Sequence, residues 1–81
     1  MALVTLRLFA SARVAAGVGR DQIQADTVGD ALDEAMARYG PDFSEVLAGC
    51  RIWRNGEHTE RGESLAEGDE LAVLPPVSGG S

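Results

Sequence analysis

Lysine is absent from this chain, and cysteine and histidine occur once each. Without a side-chain amine, the chain cannot be the acceptor in a polymer of itself linked through Lys. A single thiol, Cys50, excludes an internal disulfide, a zinc site of several cysteines and a four-cysteine iron–sulfur site. No metal site is expected. No apolar run approaches the ~18 residues of a membrane span, and no charged-then-apolar leader opens the chain. The expectation is a soluble, cytoplasmic protein without membrane contact. Basic charge is scarce too: seven arginines stand against thirteen carboxylates, giving a net charge of -6. Neutralising a phosphate backbone needs clustered cations, and these arginines are scattered, so no nucleic-acid partner is expected. The 81 residues suffice for one domain. Such a domain buries only about 60% of its unfolded surface, too little for a deep cleft between lobes.

What is present reads as one α+β domain. Leu3–Phe9 alternates, with Val4, Leu6 and Leu8 on one face and Thr5, Arg7 and Phe9 on the other, the pattern of a half-buried strand. Ala10–Val18 is small and polar and is expected to be a loop. Arg20–Ala25 reads as a second strand with Ile23 inward. Thr27 is a good helix N-cap, and Asp30 three residues on resembles a capping box. Val28, Leu32, Ala35, Met36 and Tyr39 then recur at helical spacing. Gly40 and Pro41 end that helix, and Phe43, Val46 and Leu47 suggest one further helical turn plugging the core.

Cys50–Arg54 reads as a third strand, with Asn55-Gly56 as a tight turn and a short return strand within Glu57–Glu63. Ser64 and Glu67 are placed to cap a turn that drops Leu65 inward. Glu70–Leu74 is the last strand, with Leu71 and Val73 inward. Pro75 and Pro76 lack backbone N–H groups and must end sheet pairing. Strand, strand, helix, strand, short strand, strand predicts a β-grasp (ubiquitin-like) fold, a mixed sheet with one main helix across one face. The domain spans 1–76 and a flexible C-terminal tail spans 77–81.

No catalytic constellation stands out. His58 lies in a polar stretch and reads as a solvated loop residue; a Cys50–His58 pair has nothing to orient the histidine. Cys50 shares the phase of Ile52 and reads as a small buried hydrophobe. Gly17-Val18-Gly19 lacks the lysine and the following helix of a phosphate loop. The tail differs. Terminal Gly and Ser are often only disorder, but here Pro75-Pro76 leave directly from a core strand and favour an extended, projecting chain. Gly79 and Gly80, lacking Cβ atoms, suit a narrow channel. Val77 to Gly80 spans about 13 Å when extended.

The segment Ser64-Leu65-Ala66-Glu67-Gly68-Asp69-Glu70-Leu71-Ala72-Val73-Leu74-Pro75-Pro76-Val77-Ser78-Gly79-Gly80 resembles the end of the small subunit of molybdopterin synthase, of the MoaD/ThiS family of sulfur carriers. Leu6-Arg7-Leu8-Phe9-Ala10-Ser11-Ala12-Arg13 and Thr27-Val28-Gly29-Asp30-Ala31-Leu32 are similar to its first strand and helix. The resemblance implies a carrier that is not itself catalytic and binds no cofactor. An ATP-dependent adenylating enzyme would activate the carboxylate of Gly80, and a sulfur donor would convert it to a thiocarboxylate. Pro75, Pro76, Val77, Ser78 and Gly79 would deliver it to the large subunit, which builds the dithiolene of molybdopterin. Ser81 departs from the family pattern, and a form ending there is expected to be inactive as it stands: either a protease removes Ser81, or Ser81 is an alteration that traps the unactivated state.

Phe9, Trp53 and Leu74, flanked by Arg7 and Arg51, are expected on the sheet face opposite the helix as the partner-binding surface. The competing reading is that another segment of the chain covers them. The alternatives for function are a sulfur carrier for thiamine, cysteine or transfer-RNA thiolation, a ubiquitin-like protein modifier, and a binding module with an inert tail.

Overall fold

The computed structural model describes residues 1–76. In chain order the elements are β1 (Ala2–Leu8), α1 (Ala10–Ala16), β2 (Arg20–Ala25), α2 (Val28–Tyr39), α3 (Pro41–Ala48), β3 (Arg51–Arg54), β4 (Glu57–His58) and β5 (Glu70–Leu74). The five strands form one sheet in the order β2-β1-β5-β3-β4. β1 and β5 run parallel and the other neighbours antiparallel, so the mixed β-grasp sheet expected from the element order is the one observed.

Register follows from which residues must leave water. Ile23 lies opposite Val4, and Ala25 opposite Ala2. Leu71 sits beside Leu6, and Val73 beside Leu8. All of these are buried, and a slip of one residue would turn every one of them to the other face. Val28, Ala31, Leu32 and Ala35 of α2 close the core over this side. Asn55 (φ 52) and Gly56 (φ 85) both take the left-handed backbone that a tight hairpin turn requires.

The start of α2 is satisfied from two directions. Thr27 Oγ1 accepts from Asp30 N at 3.1 Å, the expected cap. The N–H groups of Val28 and Gly29, which have no partner within a helix, donate to the carbonyls of Glu63 and Arg61 at 2.9 and 2.8 Å. The loop after β4 is thereby tied to the helix.

Three expectations change. Residues 10–18 are not a loop: Ala10–Ala16 form α1, ended by Gly17 at φ 82. Its core-facing residues are alanines, whose helix propensity is high but whose small side chains leave no apolar stripe to read. The further turn after Pro41 is a complete eight-residue helix, α3, with Pro41 at its start, where a missing N–H costs nothing. The turn before β5 is capped by Asp69, whose Oδ2 accepts from Ala66 N at 2.8 Å, not by Ser64, which bridges to Thr27. Leu65 still reaches the edge of the core.

The C-terminal end of α2 is pinned to β2 through Asp21. Tyr39 Oη donates to Asp21 Oδ2 at 2.6 Å, and Arg38 Nη1 donates to the same oxygen at 2.9 Å. The Tyr39 hydroxyl first, and Arg38 less strongly, hold the Asp21 carboxyl below the usual carboxylate range against the opposing effect of burial. A carboxylate whose folded pKa is depressed contributes stability above its unfolded value, near 3.9. That contribution is lost as pH falls through the folded value. Asp21→Asn is therefore expected to lower stability at pH 7 and to flatten its fall on acidification. Urea midpoints at pH 7 and about pH 3 check this; parallel pH dependences in the two proteins would contradict it.

Candidate functional site

The exit of the chain from the sheet is set by β5. Arg51 lies opposite Leu74, so Pro75 follows at the end of the paired region. Pro75 is half-buried and Pro76 exposed, and neither has an N–H to extend the ladder. Val77, Ser78, Gly79, Gly80 and Ser81 lie outside the described residues.

The sheet face away from α2 brings the expected surface residues together. Registers align Arg20, Arg7, Ala72, Trp53 and His58 in one row across all five strands. Arg51 and Leu74 form the next row toward the exit. Phe9 N donates to Val73 O at 3.3 Å, which sets Phe9 at the same end. The Arg7 guanidinium carbon lies 5.6 Å from the Phe9 ring centroid, within cation–π range. Phe9 is 36% exposed, while Trp53 and Leu74 are half-buried. Among the described residues, no segment closes over them as a second layer: α2, α3 and the buried core all lie on the opposite side.

Ala10, immediately after Phe9, takes φ 51, a left-handed conformation that costs a non-glycine residue about 1 kcal/mol or more. The sharp corner between β1 and α1 carries this strain where Phe9 reaches solvent.

Two residues of this face escaped the sequence reading. Arg20 is one: once Ile23 and Ala25 are inward, strand parity puts Arg20 outward beside Arg7, a signal present but unused. His58 is the other. It is not a loop residue but part of β4 opposite Trp53, their rings edge-to-face with centroids 5.9 Å apart. That pairing depends on β4 being a strand of only two residues, which no periodicity marks.

Cys50 lies on the helix side, just before β3, on a groove of about 300 Å³ also lined by Leu32, Met36, Leu47 and Ile52. Its thiol donates to Val46 O at 3.2 Å, and burial pushes its pKa up. A thiol held protonated is a poor nucleophile, in keeping with the reading of Cys50 as a small hydrophobe. His58, opposite Trp53 on the other face, does not meet it. No helix among the described residues is long and apolar enough to cross a membrane.

Among the described residues the domain carries an apolar and basic open face and a proline-led exit from β5. Comparison with known proteins gives its family. The model of the ThiS family matches residues 6–80. Small archaeal modifier protein 1 of Haloferax volcanii is 40% identical over 84 residues, covering 91% of this chain and 97% of the relative. The molybdopterin synthase sulfur carrier subunit of Arabidopsis thaliana is 32% identical over 80 residues, covering 95% of this chain and 82% of the relative. The crystal structure of the Haloferax volcanii modifier superposes with a TM-score of 0.84 at 38% identity, over 96% of this chain and 99% of that one. The chain belongs to the ThiS/MoaD family of ubiquitin-like sulfur carriers.

Proposed function

We propose that this protein is the sulfur-donating small subunit of a molybdopterin synthase, carrying sulfur as a thiocarboxylate on Gly80. The observation that carries the reading is the Pro75-Pro76-Val77-Ser78-Gly79-Gly80 run leaving directly from β5 in a family of ubiquitin-like sulfur carriers. The similarity to a molybdopterin synthase sulfur carrier subunit along nearly the whole chain supports it.

The chemistry follows from what a carboxylate lacks. It is a poor electrophile, so an ATP-dependent activating enzyme joins AMP to it and releases pyrophosphate. A sulfur donor then displaces AMP, leaving an anionic sulfur nucleophile that needs no neighbouring base. The carrier binds no cofactor; ATP is spent by the activating enzyme, in the cytoplasm. The large subunit takes the tail and uses the sulfur to build the dithiolene. This division of labour accounts for a carrier whose histidine and cysteine stand on opposite sides of the sheet. Intact-mass analysis of the protein isolated from cells making molybdopterin tests the reading. A mass corresponding to loss of Ser81 with one carboxylate oxygen of Gly80 replaced by sulfur is expected, and its absence would contradict it.

A second reading, a modifier joined through its terminal glycine to lysines of other proteins, is favoured by the 40% identity to a small archaeal modifier protein. Isopeptide-linked adducts in cell extracts distinguish it. The lack of lysine in this chain predicts adducts on targets only, never chains of the protein on itself.

Trp53 is the expected anchor of docking. Trp53→Ala is expected to weaken binding to the large subunit or the activating enzyme by about 2 kcal/mol or more, the loss of a binding hot spot. Its half-buried position predicts a smaller loss of stability. Calorimetric titration beside thermal unfolding separates the two. Unchanged affinity with a large loss of stability would make Trp53 a core residue.

A further inference from the structure

The arginines, scattered in sequence, are not scattered in space. The outward positions of the sheet hold Arg7, Arg20 and Arg51 against one carboxylate, Glu70, which lies 3.4 Å from Arg7. Arg13 is not part of this face: a Cβ built on Gly19, which shares the inward parity of Asp21 and Ile23, would stand 3.1 Å from Arg13 Nε. The other three arginines are occupied elsewhere: Arg38 with Asp21 and Glu34, Arg54 with Glu63 and Asp69, and Arg61 with Asp33. Among the described residues, Arg13, Arg20 and Arg51 have no such pairing. A chain of net charge -6 therefore turns one basic face outward, and Phe9, Leu74 and Trp53 lie within it.

We propose that this face docks on a protein surface whose carboxylates ring an apolar depression, and that the charge pairing orients the carrier so that its tail meets the activating enzyme. The inference rests on the carrier reading above and adds the chemistry of the partner's surface. An apolar centre with a charged rim is the anatomy of a specific protein interface. Rim charges act mainly on the rate of association. The remainder of this chain is strongly acidic and would be repelled by such a partner, so only one orientation is attracted. A uniformly basic or neutral partner would gain nothing from this arrangement.

The test measures thiocarboxylate formation on the chain ending at Gly80, and on variants of that form, with purified activating enzyme from the same source, ATP and sulfide, varying carrier concentration and salt. Between about 0.1 and 0.5 M salt the Debye length falls from about 10 Å to about 4 Å, so attraction between the two charged faces weakens steadily. In that range kcat/KM of the wild type is expected to fall with rising salt. Arg7→Glu with Arg20→Glu and Arg51→Glu is expected to lower kcat/KM at low salt by about tenfold or more, with kcat at saturation little changed and the salt dependence abolished. Circular dichroism checks the fold of this variant.

Arg20→Gln and Ala37→Glu change net charge equally, the second on the exposed side of α2, and bear on the proposal without triple reversal. Arg20→Gln alone is expected to lower kcat/KM. Equal effects of the two, or a wild-type kcat/KM indifferent to salt while thiolation proceeds, would overturn the docking face and leave the carrier reading intact. No thiolation of the unsubstituted chain ending at Gly80 at any enzyme concentration would overturn both.

Discussion

A chain ending at Gly80 is expected to be adenylated and then thiolated, and a chain ending at Ser81 is expected to remain unmodified. In the first, the terminal group is a carboxylate flanked by two residues without Cβ atoms. In the second, the Gly80 carbonyl is an amide, which ATP does not activate in this chemistry. The carboxylate is also displaced by up to about 3.5 Å, with a hydroxymethyl group where glycine left clearance. Both forms, incubated with activating enzyme, ATP and a sulfur donor, are compared by intact mass. The expected difference is near all-or-none. Thiolation at Ser81 as fast as at Gly80 would remove Gly80 as the reactive end.

The largest expected loss of stability lies away from the docking face, at Phe43. This ring is fully buried and meets Tyr39 edge-to-face, with centroids 5.1 Å apart and planes at 73°. Phe43 belongs to α3, which closes the end of the core against α2. Removing the ring discards its transfer free energy and leaves a cavity, so Phe43→Ala is expected to cost about 3–5 kcal/mol. A domain of this length has about 4–12 kcal/mol in all, so the variant is expected to be partly unfolded at physiological temperature. Urea denaturation measures it. A loss below about 1 kcal/mol would mean that the core collapses onto the gap, at the favourable extreme of what such sites do.

The elements most legible from residue order were those carrying a large apolar stripe. Val4, Leu6 and Leu8 repeat every two residues, and Val28, Leu32 and Ala35 repeat at helical spacing; these periods are imposed by backbone geometry, so they survive into the folded protein unchanged. Pro75 and Pro76 marked the end of β5 for an equally local reason. Helix α1 was missed because Ala12, its buried residue, is too small to signal a face. The depth of α3 was underestimated because Phe43 and Leu47 alone do not reveal how many polar neighbours continue the helix.

Composition and local pattern determined the fold class and pointed to the proline-led exit from β5 as the place to look for function. Tertiary structure decided which residues share the open face. Arg7, Arg20 and Arg51 are far apart in sequence and share one face only because parallel pairing of β1 with β5, flanked by two antiparallel pairs, puts them on the same side of one sheet. His58 meets Trp53 by the same kind of long-range register. Charge clustering of this sort has no local signature, since each side chain's face is set by its own strand, while its neighbours are set by which strands pair.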